Sequence, residues 1–299
     1  MITTDKELDE MNLFVSTTFF KDGTAIETAL DTCKINGIKN LELGSNHQYS
    51  SDFKSIITSL SPDLTYLVHN YFPIPKESFV LNLASTDEHI IQRSLEHVHT
   101  AIDFCEETGA LLYTFHPGFL TDPKGSNQNR DNYDFQWDDA AGKQYDVAYE
   151  TMLESIETCV EYAAKKKIRI AIETEGSYNK HHHLLMQKPA EYEKLFKYFS
   201  PADLGINLNI GHLKLATEVF GFTAEAFTNL IGHYIVAMEL SHNNGLTDQH
   251  LPLAVDAWYW PIILQPQFKN AYKILEFRDT SVERVQANID LYKSKYYGV

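Results

Sequence analysis

Eight short runs rich in β-branched and aromatic residues alternate with longer amphipathic segments, and this alternation constrains the fold more than any other feature of the chain. The runs are Leu13 to Phe20, Asn40 to Gly44, Leu64 to His69, Leu111 to His116, Ile168 to Thr174, Leu204 to Asn209, Tyr234 to Ser241 and Lys273 to Phe277. Between them, apolar residues recur at spacings of three and four in Thr24 to Asn36, Asp87 to Thr108, Tyr145 to Lys166, Pro189 to Phe199, Thr223 to Leu230 and Val282 to Tyr296, which predicts helices. A connection that carries a helix returns the next strand in the same direction, so the sheet is expected to be parallel. Eight such units in 299 residues predict an α/β fold made of one closed (β/α)8 (TIM) barrel, spanning 1–299 as a single domain.

No Pro/Gly/Ser-rich linker divides the chain. The polar stretch Thr121 to Lys143, after the fourth strand, is too long for an ordinary connection and is expected to lie over the strand C-termini as a lid or specificity loop, with a plain surface insertion as the alternative. No apolar run approaches the roughly 18 residues needed to cross a bilayer, and the polar start MITTDKELDEMN does not read as a targeting segment. The expectation is therefore a cytoplasmic protein with no membrane partner. Three widely spaced cysteines, Cys33, Cys105 and Cys159, fall in helical segments and suit neither a disulfide framework nor a thiolate metal site.

Polar residues of metal-ligand type stand where six of the eight runs end. His69 ends the third, His116 the fourth and Glu173 the fifth; Asn209 and His212 follow the sixth, His242, Asp248 and His250 the seventh, and Glu276 ends the eighth. In a parallel barrel all these tips face one mouth. Any one strand-end histidine is more often a structural residue than a ligand, so the joint pattern carries the reading. Imidazole together with carboxylate suits a divalent transition metal such as Zn, Mn or Co, whereas an all-oxygen Mg or Ca site needs no histidine. A net charge of −16 leaves acidity to spare for a cation and weighs against a nucleic-acid partner, though acidic nucleases with local basic patches exist.

The motifs VHNYF, FHPG, IAIETEG, NIGHL, SHNNGLTDQH and LEF resemble those of the xylose-isomerase-like barrel superfamily, which includes sugar isomerases and epimerases and the endonuclease IV type of AP endonuclease. The resemblance implies a shared metal site of Glu173, Asn209, His242 and Glu276. The family's pattern has Asp where this chain has Asn209, which removes one negative charge. Glu175 lies two residues beyond Glu173, on the same face of the strand, and is positioned to replace that charge. His69, His116, His212, Asp248 and His250 match the further positions that the endonucleases use for a zinc cluster, and here they are candidate additional metal or substrate contacts.

Two activities follow from the resemblance. In the first, Glu173 and Glu276 ligate the metal and exchange a proton with a sugar, sugar phosphate or related polyol through an enediolate. In the second, clustered zinc ions activate water against a phosphodiester. The seventh-strand stretch and the acidic charge favour the first. Trp137, Lys180 and Arg278 are candidate substrate contacts beside Glu175, Arg278 being best placed to meet a phosphate or carboxylate. Barrels of this kind often form homo-oligomers, but no patch in this sequence argues for one independently.

Overall fold

The computed structural model describes residues 12–60, 63–123, 145–177 and 183–298. Trp137, Lys180, His181, His182 and most of the Thr121–Lys143 stretch lie outside the described residues.

The strands are β1 (Leu13–Ser16), β2 (Asn40–Leu43), β3 (Thr65–His69), β4 (Tyr113–Phe115), β5 (Ile170–Glu173), β6 (Gly205–Asn209), β7 (Ile235–Leu240) and β8 (Tyr272–Leu275). Each pairs in parallel with the next and β8 pairs with β1, so the barrel closes. The described helices are α1 (Ile26–Ile35), α2 (Phe53–Leu60), α3 (Glu88–Thr108), α4 (Tyr145–Lys166), α5 (Pro189–Leu195), α6 (Ile210–Phe220), α7 (Ala224–Ile231), α8 (Trp260–Ile263) and α9 (Val282–Tyr297).

Strand periodicity sorts the core into an outer shell and an interior. Side chains alternate across a strand, so Val15, Leu41, Val68, Ile172, Leu208, Met238 and Leu275 belong to the large apolar cluster shared with the helices. The residues between them form a separate small cluster of Phe14, Leu67, Leu112, Ala171, Ala237 and Ile274. Two residues further along the same strands, the interior positions are Ser16, His69, Thr114, Glu173, Glu239 and Glu276, all buried. The barrel thus has an apolar floor and a polar upper layer at the strand C-termini.

The first strand is shorter than its apolar run. It stops at Ser16, and Thr17–Phe19 form a 3-10 turn whose Thr18 hydroxyl donates to the Phe277 carbonyl. The backbone N–H of Gly44 donates to Thr17 Oγ1, which ties this turn to the end of β2. Helices α2, α6 and the short α8 fall outside the segments picked out by periodicity. In α6, Asn209 acts at once as the last strand residue and the N-cap, its Oδ1 accepting the His212 N–H at 3.1 Å, so no connecting residues mark the boundary. All three cysteines are free and buried.

Candidate active site

The upper layer gathers six buried carboxylates, Glu42, Glu173, Glu175, Glu239, Asp248 and Glu276, around His69, His116, His212 and His250. Protonating all four imidazoles would still leave negative charge in excess. A buried group of this kind needs cations or bound protons to stand.

Three groups of donors converge within 4.8 Å of one another: His69, His116 and Glu173; His212, Asp248 and His250; and Glu42, His69 and Glu239. Their fit to a metal is supported by buried acceptors without a hydrogen-bond partner, among them Glu173 Oε2 and Asp248 Oδ1. Glu173 Oε2 stands 3.6 Å from His69 Nε2 and 3.5 Å from His116 Nδ1. In the second group Asp248 Oδ2 lies 2.7 Å from His250 Nε2 and 3.5 Å from His212 Nε2. Imidazole nitrogen with carboxylate oxygen is the donor chemistry of a divalent transition ion.

The backbone fixes these side chains. His69 Nδ1 is 2.8 Å from Thr114 Oγ1, and His212 Nδ1 is 2.8 Å from the Thr174 carbonyl, which sets each ring's orientation. His250 sits at φ 47, a left-handed conformation that costs a non-glycine residue on the order of 1–3 kcal/mol. There its ring lies between Asp248 and Glu276, with Nδ1 3.0 Å from Glu276 Oε2. Its carbonyl accepts the Arg278 N–H, joining the loop after β7 to the end of β8.

Charge states follow from these neighbours. Burial works against a charged His116, but the Glu173 and Glu175 carboxylates outweigh it and raise the imidazole to about 9. Burial would raise Glu173, yet His116, His212 and His69 hold it well below the usual carboxylate range. Glu276 is lowered in the same way, burial being overcome by His250. Glu239 goes the other way, because burial and the neighbouring Glu173 and Glu276 both raise it. Burial and Glu276 likewise push Glu42 up.

Most of the residues singled out from sequence meet here: Glu173, Glu175, Asn209, Glu276, His69, His116, His212, Asp248 and His250. His242 does not join them. Its backbone pairs with Leu251 in an isolated bridge, its ring packs edge-on against Tyr259 at 6.1 Å, and it belongs to none of the donor groups among the described residues. The strand-seven residue that faces Asn209 is Glu239, their Cα positions being paired across β6 and β7. The geometry thus differs from the expected set: His242 stands apart from the three groups, and Asn209 presents its amide N–H to the carboxylates rather than its carbonyl. Arg278 reaches Asp248 Oδ2 at 3.4 Å from a side chain 41% exposed, so it borders the site. Glu42 and Glu239 went unread because each sits inside an apolar run, NLEL and IVAMEL. Strand parity was the available signal, since each charge takes an interior position.

A family model for the xylose isomerase-like TIM barrel matches residues 30–292. The chain belongs to that family. Its structure is similar to that of a D-tagatose 3-epimerase-like protein, with a TM-score of 0.73 at 18% identity over 97% of this chain and 98% of the other. It is also similar to endonuclease IV from Thermus thermophilus, with a TM-score of 0.61 at 12% identity over 96% of this chain and all (100%) of that one. At these identities the likeness is one of fold. In sequence, 173 residues are 25% identical to the uncharacterized protein MJ1311 of Methanocaldococcus jannaschii, a match covering 58% of this chain and about half (52%) of that relative. These structural neighbours carry the names of two different reaction classes, and no helix among the described residues is long and apolar enough to cross a membrane.

Proposed function

We propose that this family member is a divalent-metal-dependent isomerase or epimerase acting on a sugar, a sugar phosphate or a related polyol. The observation that carries the reading is the placement of two low-pKa carboxylates, Glu173 on β5 and Glu276 just beyond β8, within one amide's reach of each other in the barrel mouth. Both are ionised, and both lie among histidine donors fit to hold a cation.

Removing a proton from a carbon beside a carbonyl leaves an electron pair that delocalises onto oxygen as an enediolate. His69, His116 and Glu173, or His212, Asp248 and His250, would hold a divalent ion, which would supply positive charge for such an oxygen. Glu276 takes the proton. Return of that proton by Glu276 to the neighbouring carbon, with the hydroxyl proton passing between the two substrate oxygens, yields an isomer; an epimer requires Glu173 to take up a proton and deliver it to the opposite face of the first carbon, while Glu276 passes the abstracted proton to solvent. His250, beside Glu276 Oε2, holds that carboxylate in its ionised form.

The reading is tested by incubating ketoses and ketose phosphates with the Mn- or Zn-loaded protein in D2O and following the C–H signals by NMR. Deuterium entering beside the carbonyl supports proton transfer; a full panel without exchange would remove it. Hydrolysis of a phosphoester is the second reading, favoured by the presence of a second histidine–carboxylate donor group where the proton-transfer scheme calls for one ion. Release of p-nitrophenol from bis(p-nitrophenyl) phosphate without any deuterium exchange would make it the first.

A further inference from the structure

Asn209 holds the middle of the upper layer, and its amide faces the carboxylates nitrogen first. Nδ2 donates to Glu173 Oε1 and to Glu239 Oε2, each at 2.9 Å, and lies 3.5 Å from Glu276 Oε2. We infer that this amide takes the place of a cation among Glu173, Glu239 and Glu276 and leaves Glu239 unavailable to the Glu42–His69–Glu239 group, so that the barrel holds its ions only in the His69–His116–Glu173 and His212–Asp248–His250 groups.

The orientation is set by what surrounds the other end of the amide. Oδ1 accepts the His212 N–H at the start of α6. On the same side, a Cβ at Gly211 would lie 3.2 Å from Oδ1, 2.9 Å from Ser241 Oγ and 3.2 Å from Asn243 Nδ2, so only glycine leaves the cap this room. Turning the amide over would set its N–H2 against the His212 donor and its carbonyl against three carboxylates, losing every contact at once. Coordination of a metal through Asn209 Oδ1 would therefore break the cap of α6.

Glu239 is engaged in the same arrangement. Its Oε1 accepts Asn207 Nδ2 and its Oε2 accepts Asn209 Nδ2, so amide hydrogens point at both oxygens where a cation would have to approach. Amide hydrogens carry only partial charge, which offsets part of the mutual repulsion of three carboxylates and leaves the rest to bound protons and the flanking ions. Glu276 is left outside both histidine groups, as the proposed proton transfer requires. In that scheme Asn209 is a positioning residue.

The test counts ions and does not depend on turnover, so it stands or falls apart from the proposed reaction. Protein stripped with chelator, loaded with ZnCl2 and desalted is weighed by native mass spectrometry. Two zinc ions per chain are expected for the wild type and three for Asn209→Asp, whose carboxylate still caps α6 but offers an anionic ligand to the centre. Three ions in the wild type, or equal counts in the two proteins, would overturn the inference. Should Asn209→Asp not fold, Glu239→Gln decides: an unchanged count agrees with Glu239 being no ligand, and a count lower by one contradicts it.

Discussion

Two residues separate the floor of the barrel from its mouth on the same strands, and they separate opposite kinds of surroundings: Ala171 from Glu173, Ala237 from Glu239, Ile274 from Glu276. The floor is apolar, and its burial stabilises the fold. The mouth is equally buried but charged, and its burial destabilises the fold unless cations and hydrogen bonds offset it. The same strand geometry serves both layers, so the difference lies entirely in which residue types occupy alternate positions. Stability and activity are thus expected to separate cleanly between mutations two residues apart.

The sharpest contrast comes from Glu276→Gln. Losing a general base or acid should lower deuterium exchange on a responsive substrate by about 10²–10⁴-fold, while a melting curve stays unchanged or moves up because a buried charge is gone. Exchange within a few-fold of wild type would take Glu276 out of the chemistry. Phe14→Ala, in the floor, should do the reverse. Its ring is fully buried and packs edge-on against Tyr272 at 5.3 Å. Truncation should cost about 3–5 kcal/mol in urea unfolding, with zinc content unchanged; loss of metal from that variant would mean the two layers are not independent.

A third, intermediate effect lies away from both layers. His97 on α3 is buried beside Tyr71, its Nε2 has no hydrogen-bond partner, and burial lowers its pKa to about 4. The unfolded imidazole titrates near 6.5, so between these values the unfolded state binds a proton that the folded state does not. Stability attributable to His97 is therefore intact above that window and lost as pH falls through it, to a limit on the order of 3 kcal/mol. His97→Phe should flatten the fall in melting temperature between pH 7 and pH 4.5; an unaltered slope would assign the acid sensitivity to the mouth. Smallest is Arg278→Ala. Its contact with the buried Asp248 is long and its own side chain is 41% exposed, so the change in stability should be under about 1 kcal/mol, and a greater loss in urea unfolding would place Arg278 within the cluster.

The same alternation explains what could be read from sequence. Strand order, barrel closure and the positions of Glu173 and Glu276 were legible because polar ligand types interrupt apolar runs at their ends. His242 stands apart from the donor groups for a related reason: a histidine just past a strand looks like a ligand, and its backbone turns to pair with Leu251. Glu239 was hidden because a charge within IVAMEL is recognisable as interior only from its parity with Ala237. The direction of the Asn209 amide was not legible at all, since it depends on a helix cap three residues on and on room left by Gly211.

The central claim is that the charged layer is built around transition ions, and anomalous X-ray diffraction from crystals of the zinc-loaded protein at the zinc edge tests it most directly. The geometry predicts peaks between His69, His116 and Glu173 and between His212, Asp248 and His250. A difference map with no anomalous peak in the barrel mouth would contradict it.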